Sequence, residues 1–219
     1  MLVGQKKAGA MDEFADLYEK LHKQCRYHSR HLGHLKALIE NDDWMRVVDG
    51  SMSGRVLLLG NSEITNALIL FNTRMFDTGP DTITVHRLGK MVPTEQEIER
   101  HHAARMKEIG FEYPVDRYFV AREKFIADSR ELRGNSTSSK LRSLRDYNLA
   151  HNIEPDTEPE KATLNDLLKL TEAVTDLVDL AGYIVTSTSG VYRDFSDRSE
   201  KETRMLYAAL PALATAENE

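Results

Sequence analysis

The stretch FADLYEKLHKQCRYHSRHLGHLKALI, residues 14–39, places Phe14, Leu17, Leu21, Cys25, His28, Leu32, Leu35 and Ile39 at alternating steps of three and four. A helix turning about 100° per residue gathers such positions into one seam. The spacing predicts a single long helix with one face turned inward. The same period recurs along nearly the whole chain, and strand-like alternation is absent apart from the short GYIVTSTS at 182–189. The expected fold class is therefore all-α, a helical bundle of long antiparallel helices.

Composition agrees. Among 219 residues, 41% are hydrophobic and 29% charged, the balance of a chain that buries a core. Six prolines leave long stretches free to be helical. The net charge of −6 argues against a broad electrostatic grip on duplex nucleic acid, while leaving room for a local basic groove. The lone cysteine, Cys25, allows no intrachain disulfide. No apolar signal core opens the chain and no run of about 18 apolar residues occurs, so a cytoplasmic protein without a membrane span is expected.

Further along, a second long helix is expected over about 44–76, containing Gly50, Gly54 and Gly60, which either break it or permit close packing. The turn DTGPDT ends it. A short helix over VHRLGKMV follows, then one opened by a Thr94–Glu97 capping box and ending near Gly110. Another runs over about 115–132. RGNSTSSK reads as a loop with Ser136 or Thr137 capping the next helix, which stops before Pro155. EPDTEPEK reads as a linker. Leu164 to Ala181 mark a strongly amphipathic helix, and a weaker one over about 199–210 leads to a fraying tail, ATAENE. The expected division is a flexible segment 1–10, a helical domain 11–185, and a C-terminal helix with its tail, 186–219.

One helix carries unusual chemistry. In SLRDYNLAHN, residues 143–152, Leu144, Arg145, Asn148 and His151 lie at about −60°, +40°, −20° and −80° from Leu141 on a helical wheel. The polar three continue an apolar stripe, so they need partners or a wet cleft. Such groups serve either as satisfied structural devices or as a site. Imidazole moves protons near neutral pH, and guanidinium matches phosphate oxygens. Together they suit attack of an alkoxide on a phosphate.

Arg145, the polar Asp146 and His151 resemble the paired Arg and His of the HEPN superfamily. LRDYNLAHN is similar to a box of its AbiU-type abortive-infection branch, and ITNALILFNTRMFDTGPDTITVHRLGKMV resembles that branch's helix ending in Arg and Asp, a turn and a short helix. The resemblance covers residues 10–185. It implies a small α-helical bundle, commonly dimeric, and in many members a metal-independent ribonuclease whose site forms where two such helices meet. Other members have lost activity and act as binding or regulatory modules. Many belong to toxin–antitoxin or phage-defence systems, so an antitoxin partner is among the expectations. The resemblance assigns Arg145 and His151 as the catalytic pair, with Asp146 adjacent. Single-stranded RNA is the implied substrate and no cofactor is implied. A tyrosine two places after the His, nucleotidylated in some HEPN toxins, is here Ile153. From the wheel and local charge, Asn148, Arg142 and Lys140 are candidate RNA contacts. Arg130 and Arg133 are further basic residues nearby, and a solvated face explains such charges equally well.

Other constellations are weaker. His22, Cys25, His28, His31 and His34 step by three, which drifts about 60° each time, so at most two neighbours share an ion. Glu19/His22 and Glu99/His102 form Glu-x-x-His pairs, as in di-metal bundles, but Glu19 and His22 are expected to face solvent. DGSMSG has Met52 where a nucleophile elbow needs serine. Met45, Met52, Met75, Met91 and Met106 read as core filler.

Overall fold

The computed structural model describes residues 9–40, 51–110, 114–146 and 162–216. Eight helices lie among them: α1 (Ala10–Ile39), α2 (Met52–Arg74), α3 (Val85–Lys90), α4 (Glu95–Ile109), α5 (Asp116–Arg133), α6 (Ser136–Arg145), α7 (Leu164–Thr186) and α8 (Val191–Ala216). No strand occurs among the described residues, so the all-α expectation holds.

The helix α1 is the spine. Asp12 Oδ2 accepts from the Gly9 N–H at 3.1 Å, satisfying a donor at the helix start. Phe14, Leu17, Leu21, Cys25, Leu32 and Leu35 are buried along the expected seam. The helix α2 runs antiparallel to α1: His28 stacks on Phe71 at 4.2 Å, and His34 meets Asn61 at 2.6 Å. The helix α7 is antiparallel too, with Tyr18 against Gly182 and a Lys36–Glu172 ion pair at 2.8 Å. Asn72 ties α2 to α7 through Thr171, at 2.8 Å. Phe14 and Phe125 meet edge to face at 6.0 Å, joining α5 to the core.

Helix ends follow local chemistry. Thr94 with Glu97 and Thr163 with Asp166 form reciprocal capping boxes, and Gly110 closes α4 in the left-handed region at φ 67°. Ser51 caps α2 through the Gly54 N–H, which gives the serine of DGSMSG a structural role. At the other end of α7, the carbonyls of Ile184 and Val185 receive donors from His102, His101 and Arg105. These are carbonyls that a helix C-terminus leaves unpaired.

Several expectations need correction. The C-terminal helix begins at Val191 rather than near 199 and runs through Ala216, past the start of the expected fraying tail. It lies parallel to α1, with Tyr192 over His22 (2.8 Å), Ser199 bonded to the Arg30 carbonyl (2.7 Å) and Arg204 paired with Glu40. Its charged outer face dilutes the apolar period, which is why the sequence shows only its second half. His22 is consequently half-buried under α8 instead of facing solvent. GYIV in GYIVTSTS is the last turn of α7, and Ser187 ends it at φ 65°. The cap of α6 is Asn135, whose side chain accepts from the Thr137 N–H at 2.8 Å; Ser136 and Thr137 are already helical. Gly54 and Gly60 do not interrupt α2, and nothing lies within 4 Å of a Cβ added at Gly60, so neither breakage nor close packing accounts for that glycine. Met75 is core, but Met52 is 77% exposed. Trp44, Met45 and Gly50 lie outside the described residues, as do Ile153, Pro155 and the expected linker up to residue 161.

Candidate active site at the end of α6

The helix α6 is short, and two contacts decide its placement. Leu141 is fully buried and Leu144 half-buried, packing the helix against α2 and α7. Asn135 fixes its start. The chain therefore delivers Arg145 at the last helical turn with its side chain 24% exposed. The guanidinium Nε and Nη2 both donate to Asp146 Oδ1, at 2.8 and 2.6 Å. Nη1 donates to no described residue. Asp146, at 54% exposure, thus orients the guanidinium plane, and the other edge of the fork is bonded to none of the described residues.

The basic candidates divide by position. Arg142 is exposed and lies one turn before Arg145, about 60° away around the helix, so both address one side. Lys140 lies about 140° from Arg145, and its charge acts on Asp166 at the start of α7. Arg133 is bonded back to the Ser129 carbonyl at 3.1 Å, and Arg130 is exposed on α5. Asn148 and His151 lie outside the described residues. The structure thus brings together Arg142, Arg145 and Asp146, and sets Lys140 apart.

The histidine series is dispersed. His22 Nδ1 bonds to Tyr192 Oη at 2.8 Å, and His34 Nε2 bonds to Asn61. His28 packs on Phe71, and burial, with a smaller contribution from His31, pushes its pKa down to about 4. His102 is buried, stacked 3.7 Å from Tyr118, and donates to the Ile184 carbonyl at 2.7 Å. No group of three metal-competent side chains converges among the described residues. The histidines of the two Glu-x-x-His pairs are committed to Tyr192 and to the Ile184 carbonyl, while Glu19 and Glu99 are exposed. Burial pushes the Cys25 thiol up, which leaves it unreactive in the folded state.

Two clefts escaped the sequence reading. One, of about 450 Å³, lies between α5, α7 and α8 and is lined by Lys124, Asp128, Asp176, Asp179 and Arg193 among others. Burial raises the pKa of both Asp176 and Asp179. Asp179 accepts from the Gly190 N–H at the start of α8, so its role is that of a cap. The other, of about 620 Å³, opens where α2 meets the 77–84 turn and is lined by Gln24, His28, Phe71, Arg74 and Asp77 among others. Neither cleft is lined by Lys140, Arg142, Arg145 or Asp146. Their members come from segments far apart in the chain, so only their separate helix periods were visible beforehand.

Among the described residues no helix is long and apolar enough to cross a membrane. No curated protein matches the chain, and no solved structure does. A family model does: that of AbiU2, of the HEPN class, matches residues 11–206, from the start of α1 into α8. With a match over most of its length, the chain belongs to the AbiU2 family of HEPN proteins.

Proposed function

We propose that this protein is a metal-independent endoribonuclease that acts as a homodimer on single-stranded RNA in phage defence or as a toxin. The observation that carries the reading is the end of α6: a half-buried guanidinium, oriented by Asp146 and with Nη1 bonded to none of the described residues, inside a chain of the AbiU2 family. In the reaction, the RNA's 2′-hydroxyl attacks the adjacent phosphorus and the 5′-oxygen leaves. His151 takes the 2′-proton or supplies the proton to the leaving 5′-oxygen. Arg145 stabilises charge building on the phosphorane oxygens. Because the nucleophile belongs to the RNA, the products are a 2′,3′-cyclic phosphate and a 5′-hydroxyl. A single strand can adopt the in-line geometry that this attack needs. Arg142, on the same side as Arg145, contacts phosphate. Asn148 and, on another side of the helix, Lys140 extend those contacts. We place the protein in the cytoplasm, with an antitoxin as a partner.

The test is incubation of purified protein with single-stranded RNA in the presence of chelator, with end-group analysis of the fragments. Cleavage yielding cyclic phosphate, lost in His151→Ala and in Arg145→Ala while both variants keep the wild-type melting curve, supports the reading. Cleavage unchanged in His151→Ala removes it.

A second reading follows from the same ion pair: a catalytically silent module in which Asp146 merely neutralises Arg145. In that case no RNA is cut by the wild type, and Asp146→Ala destabilises the helix end without creating activity.

A further inference from the structure

In a chain of net charge −6, residues 20–39 hold Lys20, Lys23, Arg26, Arg30 and Lys36 but no aspartate or glutamate. Lys20 is paired with Asp16, and Lys36 with Glu172. Lys23, Arg26 and Arg30 are exposed, and their side chains form no ion pair with any described residue. With Lys23 at zero, Arg26, Tyr27 and Arg30 lie at about −60°, +40° and −20° around α1, so the four share one side of the helix. Glu19, one turn earlier, bounds this strip. A merely solvated helix face carries charges of both signs, which this one lacks.

Neighbouring helices make the strip the floor of a groove. At His34, α2 and α8 close over α1, since His34 meets both Asn61 and Tyr207. Toward Lys23 they flank it instead. Phe195 of α8 lies 4.8 Å from the Arg26 guanidinium and 5.8 Å from that of Arg30, and Phe71 of α2 stacks on His28. Tyr27 lies between these walls and is 59% exposed. His28 and His31 meet its ring at 85° and 71°, so neither imidazole lies flat against it. On α8, Asp194 and Asp197 lie about 100° and 160° around the helix from Phe195, and Glu202 is paired with Arg198. Past Tyr27 the groove meets the 620 Å³ cleft at Gln24 and His28, where the exposed Arg74 adds a further cation.

We propose that this strip of α1 is a binding surface for single-stranded RNA, with Lys23, Arg26 and Arg30 on its phosphates and one base stacked on Tyr27. Cations that follow a backbone, beside an exposed ring, are the combination by which proteins hold single strands without reading their sequence. A duplex keeps its base faces stacked inside and offers Tyr27 nothing. An acidic peptide matches the cations but not the ring. The surface lies on a different helix from Arg145 and grips the strand away from the scissile bond. It rests on the ribonuclease reading for its consequence, a lower KM for RNA, but binding is measured without cleavage, so the two ideas fail separately.

The experiment is fluorescence anisotropy of a labelled oligouridylate with the full chain carrying His151→Ala, titrated at several salt concentrations. Lys23→Gln, Arg26→Gln and Arg30→Gln each make the log–log salt dependence of the association constant shallower by about 0.7, the value for one phosphate contact on a single strand. Lys107→Gln, an equal charge change on the exposed side of α4, leaves that slope unchanged. Tyr27→Ala weakens binding about tenfold, Tyr27→Trp restores it, and neither changes the affinity for an RNA duplex. All variants keep the circular-dichroism melting curve of the parent, because the four side chains are exposed. Absent binding overturns the proposal, as does a Tyr27→Ala protein that binds as tightly as its parent, or a Lys107→Gln slope that falls as far as the others. Polyglutamate competing as well as an RNA strand of equal charge also overturns it, and makes the strip a docking face for an acidic protein. Wild-type protein that binds in this pattern but cuts no RNA removes the ribonuclease reading alone.

Discussion

Replacing Gly33 with alanine tests the spine of the fold. A Cβ at this position would overlap the Ser196 carbonyl oxygen and come within 2.7 Å of the Glu200 nitrogen. Both are backbone atoms of α8, so no side chain can swing away. Ordinary contact begins near 3.4 Å, so α8 must retreat by about 0.7 Å at Glu200 and further at Ser196. Overpacking of this kind costs about 3 kcal/mol, the upper end of the usual range, because rigid helices must separate. Alanine recovers about 1 kcal/mol of helix propensity over glycine. The net loss is about 2 kcal/mol, which lowers the melting temperature by about 4–8 °C for a chain of this size. Gly60→Ala is the control. It gains the same propensity and meets nothing, so it should raise stability by about 1 kcal/mol. Urea unfolding followed by circular dichroism, at two protein concentrations to separate association from folding, measures both. A Gly33→Ala protein as stable as the wild type would refute the close α1–α8 approach.

Two further outcomes are expected. His28 has its pKa pushed down to about 4 by burial, whereas the unfolded chain titrates near 6.5. The unfolded state therefore binds more protons between those values, so the stability from neutral His28 is fully present above pH 6.5 and is lost as pH falls toward 4; urea midpoints at pH 7 and pH 5 should differ, and His28→Gln should flatten that difference. Asn135→Ala removes the cap of α6 and should cost about 1 kcal/mol; if cleavage then falls while Leu141 stays protected from hydrogen exchange, the cap serves to position Arg145.

Much of the fold was legible because a helix writes its buried face into its own period. The α1 seam, the Thr94–Glu97 box and the Gly110 stop depend on residues within a few turns of one another, and each was found where expected. Where contacts reach across the chain, legibility failed. The first two turns of α8 are held to α1 by Tyr192 on His22, and by Phe195 under the Arg26 guanidinium at 4.8 Å. Those anchors are polar or aromatic and leave little apolar period, so the helix appeared to begin late. Met52 fitted the role of core filler by residue type, yet its helix turns it outward.

The candidate site divides the same way. Arg145 and Asp146 are neighbours in sequence, and their ion pair needed only a helix end to form. That Lys140 serves the start of α7 depends on how α6 lies against that helix.

From its own order of residues, then, the chain settled helix as its structure and set the bounds of most elements. It also displayed the Arg145–Asp146 chemistry, because backbone hydrogen bonding, caps and side-chain period act over short distances. Tertiary packing alone decided that α8 lies parallel to α1, that His22 and His102 are spent on Tyr192 and Ile184, and that one side of α2 is left bare. Those outcomes follow from which surfaces exclude water together, a property of pairs of segments far apart in the chain.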